Sequence, residues 1–155
     1  YVGEVSIFCG IDRGPAGRVI SIAYFALINL ADYMGQLQFD HEARWFPLDK
    51  LPPLIFDHRK MVEKAKHKLK QQVANHPIGF ELLPLKFTLP QLQSLYEAIY
   101  DAPLDKRNFS KKMLSLGILK KLNEKDKLSS RKGAFYYVFD KAKYRRLHAD
   151  GVSFI

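Results

Sequence analysis

Residues 105–116 combine cationic and amide side chains with a regular apolar spacing. Phe109, Met113 and Leu116 recur at intervals of three and four residues, which predicts the buried face of an α-helix. The polar side chains lie off that face: Lys106, Arg107, Asn108, Ser110 and Lys111. Arginine pairs in bidentate fashion with guanine, asparagine pairs with adenine, and lysine suits phosphates. The spacing therefore predicts a helix that contacts DNA, and the alternative is an ordinary solvated helix surface.

A second predicted helix precedes this one and holds it in place. Thr88 stands at the N-cap, Pro90 near the first helical position, and Gln91 three residues after Thr88, which is a capping-box pattern. The buried stripe of this helix is predicted to be Leu92, Leu95, Tyr96 and Ile99. The four residues 101–104 connect the two helices, and Gly117 is predicted to end the second one.

Two predicted strands, 118–122 and 134–139, follow the pair of helices. The segment between them is polar and rich in lysine, and it contains two cations that we assign to DNA phosphates, Arg131 and Lys132. Two helices with a short connection, followed by a basic hairpin, have the order of a winged helix-turn-helix, whose second helix enters the major groove. The aromatic residues of 134–139 are predicted to pack in the core, and base stacking is the alternative.

The distribution of charge supports this prediction. The net charge is +9 at neutral pH. Residues 1–57 carry four Lys/Arg and seven Asp/Glu, whereas residues 101–155 carry fourteen and six. An acidic front and a basic rear are typical of two modules with different partners.

The front of the chain has the pattern of β-strands. Moderate alternation predicts a strand at 2–9, and the apolar residues 19–28 predict a central strand that is covered on both faces. A further strand is predicted at 37–46.

From residue 58 the periodicity becomes helical. Apolar residues recur at three- and four-residue intervals over 58–74, which predicts an amphipathic helix with Asp57 at its N-cap. We therefore predict two domains, 1–57 and 58–155.

Several classes of function find no support in the composition. Cys9 is the only cysteine, and the five histidines have no zinc-ligand spacing. No run of about 18 apolar residues exists, so we expect no membrane span. A signal peptide is not evident, and we expect a cytoplasmic protein without a cofactor.

Four segments together resemble a known family. They are 17–24 (GRVISIAY), 54–58 (LIFDH), 87–93 (FTLPQLQ) and 104–109 (LDKRNF). In this order they resemble the Nudix-related transcriptional regulators, which join a Nudix-like effector domain to a winged helix. The stretch 130–134 (SRKGA) and the aromatic strand after it are most similar to the Bacteroidetes members linked to L-arabinose utilisation.

The resemblance implies an α+β chain: the C-terminal part of a Nudix-like mixed sheet followed by a winged helix-turn-helix. It implies a homodimeric regulator that binds double-stranded DNA and a sugar or sugar-nucleotide effector, with other branches sensing ADP-ribose-type ligands. The chain departs from the Nudix pattern because no glutamate-spaced Mg²⁺ helix is present: Glu4 is isolated, and Glu63 has no carboxylate neighbours. We therefore expect a regulator and not an enzyme.

Two alternatives remain at this point. One is a Nudix hydrolase fragment that acts on nucleoside diphosphate sugars such as ADP-ribose, which requires a clustered carboxylate metal site. The other is an RNA-binding module, whose aromatic–basic pattern is missing from the sequence.

Six residues are assigned to the effector site on the strength of the resemblance: Arg18, Ser21, Tyr24, Trp45, Asp57 and His58. Arg18 suits an anionic group or a sugar hydroxyl, and Trp45 suits the face of a sugar ring. The alternatives are structural. Asp57 is then only a helix cap, Tyr24 and Trp45 are core residues, and His58 is simply a residue of the first helical turn.

Overall fold

The computed structural model describes residues 1–11, 13, 17–29, 44–75, 79–127 and 133–149. The chain divides into two compact units, residues 1–69 and 70–155. Helices and strands alternate in a mixed α+β order: β1 (Val2–Phe8), β2 (Ser21–Ala26), α1 (His58–Asn75), β3 (Phe87–Thr88), α2 (Leu89–Tyr100), α3 (Lys106–Ser115), β4 (Leu119–Asp126), β5 (Ala134–Phe139) and α4 (Lys141–Ala149). Short 3-10 turns occur at Leu48–Lys50 and Phe80–Leu82.

In the first unit, β1 and β2 form an antiparallel pair, with Ile7 opposite Ile22 and Glu4 opposite Tyr24. The register shifts between Glu4 and Ser6. A Cβ at Gly3 would lie 2.7 Å from the ring of Phe25, so the absence of a side chain lets that ring cover the strand.

The prediction of a central strand at 19–28 is wrong in length and in burial. β2 is six residues long, and its side chains alternate between half-buried and exposed. Ile22 and Tyr24 remain 55% and 59% exposed. The apolar composition of both faces suggested two covered sides, but in the described part of the chain only one face of β2 is packed.

The strand predicted at 37–46 falls mostly outside the described residues. The part that the structure does describe, residues 44–46, is not in a strand. A proline follows at position 47 and removes a hydrogen-bond donor, which is consistent with chain outside a ladder.

α1 confirms the predicted amphipathic helix and extends it by one residue to Asn75. The backbone carbonyl of Asp57 accepts a hydrogen bond from the N–H of Met61 at 3.2 Å, so Asp57 directly precedes the helix. That its side chain caps the helix stays a prediction. The division between the two units falls inside this helix, after Leu69.

The second unit contains the predicted pair of helices. The side chain of Thr88 accepts a hydrogen bond from the N–H of Gln91, and the Gln91 side chain accepts one from the N–H of Thr88 at 2.8 Å. The predicted capping box is therefore confirmed. α3 ends at Ser115, and two residues later Gly117, the predicted stop, has a φ of +64°, the left-handed conformation that glycine adopts easily.

A three-stranded antiparallel sheet of order β3–β5–β4 completes this unit. β4 and β5 confirm the predicted hairpin, although β4 extends to Asp126. The rings of Phe80 and Phe139 stack at a centroid distance of 4.1 Å. Around them lies a buried core whose fully buried members include Val73, Phe87, Leu92, Tyr96, Met113 and Ile118.

Candidate nucleic-acid interface and effector site

The outward face of α3 is cationic. Its inner face is fixed by Phe109 and Met113, which are 8% and 2% exposed. Of the five predicted DNA-contacting residues on this helix, Ser110 is half-buried. The other four have exposed side chains: Lys106, Arg107, Asn108 and Lys111. Because these side chains are exposed, the helix can offer guanidinium, amide and ammonium groups to one partner.

A small hydrogen-bond network fixes the turn between α2 and α3. The Glu97 carboxylate accepts from the N–H of Leu104 and from the side-chain amide of Gln93, both at 2.9 Å. The same amide nitrogen of Gln93 donates to the carbonyl of Leu104, also at 2.9 Å. The backbone hydrogen bond from Leu104 contributes most to lowering the pKa of Glu97, and the bond from Gln93 lowers it further.

The start of α3 is capped by Asp105. Its carboxylate accepts a hydrogen bond from the backbone N–H of Asn108 at 2.7 Å. This bond satisfies one of the free donors of the first turn and fixes where the helix begins. The side chains of Arg107 and Asn108 therefore project from the first turn, the part of a recognition helix that approaches base edges.

The lysines beside the hairpin differ in their partners. Lys120 Nζ lies 2.8 Å from a carboxylate oxygen of Asp140, and Lys86 pairs with Glu124. The side chain of Lys120 donates to Asp140 and lowers the pKa of that carboxyl group, while the bond to Glu124 raises the pKa of Lys86. The predicted phosphate contacts Arg131 and Lys132 lie outside the described residues.

The aromatic residues of β5 divide between core and surface contacts. Tyr137 is buried and Phe139 stacks on Phe80, as predicted for core residues. Phe135 instead lies under two ammonium groups, with Lys121 Nζ 3.6 Å and Lys125 Nζ 4.5 Å from the ring centroid.

A basic helix at the rear was not predicted. The carboxylate of Asp140 accepts from the backbone N–H of Lys143 at 3.0 Å and caps α4. The exposed cations of this helix are Lys141, Lys143, Arg145 and Arg146. An aspartate followed by a run of good helix formers was the signal that could have indicated it.

The six predicted effector residues do not all share one surface. Ser21 and Tyr24 are three residues apart in β2, so their side chains point to opposite faces. Tyr24 and Trp45 are 59% and 46% exposed, which rules out the alternative that they are core residues of the described chain. Arg18 is exposed just before the strand, and His58 is the first residue of α1.

The residue that engages Asp57 was missed at the level of sequence. Arg13 Nε and Nη2 donate to the two carboxylate oxygens of Asp57 at 2.7 and 3.2 Å. Arg13 also donates to the carbonyl of Phe8, and its guanidinium lies 5.5 Å from the Phe8 ring centroid. The hydrogen bond from Arg13 lowers the pKa of Asp57. The Gly/Pro-rich sequence around Arg13 gives no sign of this partner.

The described residues contain neither a metal-binding cluster nor a membrane-spanning helix. Within the ranges the structure covers, no group of three or more His, Cys, Asp or Glu side chains is placed to hold a metal ion. None of the described helices is long and apolar enough to cross a membrane.

Residues 79–139 match the family model of the NrtR DNA-binding winged helix domain. A curated relative, the ADPR responsive transcriptional repressor NtrR of Acinetobacter baylyi, is 29% identical over 141 residues, which are 90% of this chain and 56% of that protein. The chain thus spans about half the length of the curated relative it matches.

Solved structures share the fold. The crystal structure of Shewanella oneidensis NrtR has a TM-score of 0.74 at 23% identity, covering 90% of this chain and 64% of that one. The same protein in complex with a 27mer DNA has a TM-score of 0.78 at 23% identity, with coverages of 94% and 67%. A MutT/nudix family protein from Enterococcus faecalis has a TM-score of 0.58 at 17% identity, with coverages of 89% and 61%.

These comparisons support an NrtR-like winged helix in residues 79–139. The chain has Nudix-like structural neighbours, so the predicted combination of a Nudix-like part and a winged helix is confirmed at the level of the fold.

Proposed function

We propose that this chain is the DNA-reading and part of the effector-sensing portion of a cytoplasmic transcriptional repressor, with the effector part in residues 1–57 and the reader in 58–155. The observation that carries the proposal is the exposed face of α3 within a segment that matches a DNA-binding winged helix family. α3 enters the major groove, with Arg107 and Asn108 at base edges and lysines at phosphates. The similarity to Shewanella oneidensis NrtR complexed with a 27mer DNA supports a reader of duplex DNA.

The proposed regulator acts as a homodimer. Helix-turn-helix dimers bind two half-sites about one helical turn apart, which gives two recognition helices access to successive major grooves. The proposal includes Arg131 and Lys132 as phosphate contacts of the wing, on the strength of their position in the basic hairpin.

The proposed effector is an ADP-ribose-type sugar nucleotide. Support comes from the name of the curated relative, which describes it as ADPR responsive. L-arabinose, suggested by the resemblance of residues 130–134, is the alternative effector that the same assay tests. In the effector part, Arg18 is exposed and can meet a phosphate, while Tyr24 and Trp45 present aromatic surface to a sugar or base.

The effector changes DNA affinity through a difference in contacts between two conformations. Such coupling amounts to about 1–3 kcal/mol and is reciprocal, so DNA must change effector affinity by the same factor. We propose that α1 transmits it, because this helix begins beside the Asp57–His58 pair and continues without interruption to Asn75.

Two substitutions test the placement on DNA. Arg107→Ala removes a base contact, so it should cost about 1–3 kcal/mol with the preferred sequence and relax the preference. Lys132→Ala removes a phosphate contact, so it should weaken all sequences alike and reduce the salt dependence. Fluorescence anisotropy with a selected operator duplex and a scrambled duplex measures both effects. Equal weakening of both duplexes by both variants would show that α3 does not read the bases.

A second experiment tests the effector. DNA affinity of the full-length protein that contains this chain is measured with ADP-ribose, with L-arabinose and with neither. A shift with ADP-ribose and none with L-arabinose is the expected result. A shift with L-arabinose alone would instead assign the protein to the sugar-responsive branch, and no shift with either would remove the sugar-type effector from the proposal.

The alternative function is hydrolysis of nucleoside diphosphate sugars. We consider it because the chain shares its fold with a MutT/nudix family protein. We propose that this 155-residue chain does not catalyse this reaction, because its sequence has no glutamate-spaced Mg²⁺ helix. Incubation with ADP-ribose and millimolar Mg²⁺ should leave the substrate intact by chromatography. Magnesium-dependent release of AMP by the 155-residue chain would establish an enzyme.

A further inference from the structure

We propose that Lys121, Lys125 and Phe135 form a binding site for the phosphodiester backbone of DNA beside the connection of the hairpin, here termed the Phe135 cradle. The proposal rests on the DNA-binding function proposed above and names a backbone contact outside α3. In the cradle the two ammonium groups bind phosphate oxygens. Phe135 is a positioning residue that holds both ammonium groups beside its ring.

The register of the hairpin brings the two lysines together. Lys121 is opposite Tyr137, and Lys125 is opposite Phe135, so β4 uses four residues where β5 uses two. Because Tyr137 and Phe135 are two apart in β5, their side chains lie on one face, and the irregular stretch of β4 places both lysines on that face as well. The ammonium groups converge on the Phe135 ring, at 3.6 and 4.5 Å from its centroid.

The position of Phe135 places the cradle at the edge of the core. Phe139, Tyr137 and Phe135 occupy every second position of β5, so their side chains lie on the same face. Phe139 stacks on Phe80 and Tyr137 is buried, which identifies this face as the one that packs against the core. Phe135 is nearest to the connection of the hairpin and is half-buried, with the exposed lysines beyond it. The cradle therefore lies where the packed core ends and the hairpin connection begins.

The charge of the cradle is not neutralised by carboxylates among the described residues. Lys120 and Lys86 are paired with Asp140 and Glu124, but the contacts the structure shows for Lys121 and Lys125 are those with the ring. An aromatic ring attracts a cation through its quadrupole and leaves the formal charge in place. Each of the two ammonium groups therefore keeps a charge that a phosphate can neutralise. An anion is thus the partner that this arrangement favours.

Phosphodiester is the favoured anion because of where the cradle lies. The same unit presents the cationic face of α3, and a winged helix contacts the DNA backbone with its hairpin while its recognition helix enters the groove. The opposing view is that the lysine stems merely cover an exposed aromatic ring. In that case their loss would change the stability of the fold and leave the number of phosphate contacts unchanged.

The test is the salt dependence of DNA binding, since its slope counts the phosphates that a protein contacts. Binding of the chain to a mixed-sequence duplex is measured by anisotropy at several salt concentrations. Lys121→Ala and Lys125→Ala should each reduce the log–log slope by about 0.9 per bound protomer, and the double variant by about 1.8 per bound protomer. Phe135→Leu keeps both charges, so it should retain the slope and weaken binding about two- to five-fold because the lysines are no longer held.

Lys120→Ala is the matched control, because it removes the same charge from the same strand but from a lysine already paired with Asp140. It should leave the slope unchanged. Equal reductions by Lys120→Ala and Lys121→Ala would reduce the effect to overall charge and overturn the cradle. An unchanged slope for the double variant, with a steep wild-type slope, would overturn the cradle and leave the DNA-binding function standing. A wild-type chain with no salt-dependent binding would overturn the function itself, and thermal unfolding verifies that every variant is folded.

Discussion

Two neighbouring residues of α3, Met113 and Leu114, offer a direct test of how this helix is oriented. Met113 is 2% exposed and Leu114 is 44% exposed. Truncation of a fully buried methionine to alanine costs about 2–5 kcal/mol, because apolar contact is lost and a cavity remains. Full burial of a leucine side chain contributes about 1.5–3 kcal/mol, and Leu114 realises only part of it. Alanine also has a slightly better helix propensity than leucine.

We therefore expect Met113→Ala to be less stable than Leu114→Ala by at least about 1 kcal/mol. For a unit of this size, that difference corresponds to a Tm lower by at least about 4 °C. Far-UV circular dichroism on heating gives the two Tm values, and hydrogen–deuterium exchange of peptides from α2 and α3 locates the loss of protection. Equal Tm values, or a lower Tm for Leu114→Ala, would mean that the face of α3 assigned to DNA is in fact the packed one.

Two further predictions concern capping residues in the second unit. Thr88→Ala should lower stability by about 1 kcal/mol through loss of the N-cap, and Thr88→Ser, which keeps the oxygen, should retain most of it in urea unfolding. The pKa of Asp140 is lowered in the fold by its bond with Lys120, so its stabilisation is present above the usual carboxyl value of 3.8 and disappears as the pH falls through the lowered value. The Tm difference between the wild type and Asp140→Asn should accordingly be largest near neutral pH and shrink as the pH falls below that usual carboxyl value. A difference that grows on acidification would contradict the pairing.

Local sequence patterns correctly predicted the helices of the second unit. The capping box at Thr88 and Gln91, the apolar spacing of α3 and the glycine at 117 each act within a few residues, and the structure has all of them. They could be read from sequence because hydrogen bonds of helix ends and the period of a helix depend on near neighbours.

Features that depend on distant partners were not predicted. β3 is two residues long, and it exists because Phe87 and Thr88 pair with Tyr137 and Tyr136 across nearly fifty positions. No periodicity can show in so short a strand. The pairing of Arg13 with Asp57 spans 44 positions and is equally invisible to local patterns. Long-range contacts of this kind are fixed by tertiary packing and not by propensity.

The effector residues show a different limit of sequence reasoning. Ser21 and Tyr24 were both assigned to the effector site, yet a three-residue spacing in a strand places them on opposite faces. The carboxylate of Asp57 is bound by Arg13, which gives Asp57 a structural role at the start of α1. Of the six assigned residues, those with exposed side chains, such as Arg18 and Tyr24, therefore have the better case as ligand contacts.

The same distinction decides which cations bring charge to DNA. Residue counts give the chain a net charge of +9, but they weigh every lysine alike. Asp140 is held in place because its carboxylate also accepts the backbone N–H of Lys143, so it remains beside Lys120 and cancels that charge. Lys121 contacts the ring of Phe135, which leaves the formal charge of the ammonium group in place. Adjacent lysines on one strand thus differ in the charge that they bring to the proposed complex with DNA. The partner of each lysine, which the composition does not show, determines how many counterions are released in that complex.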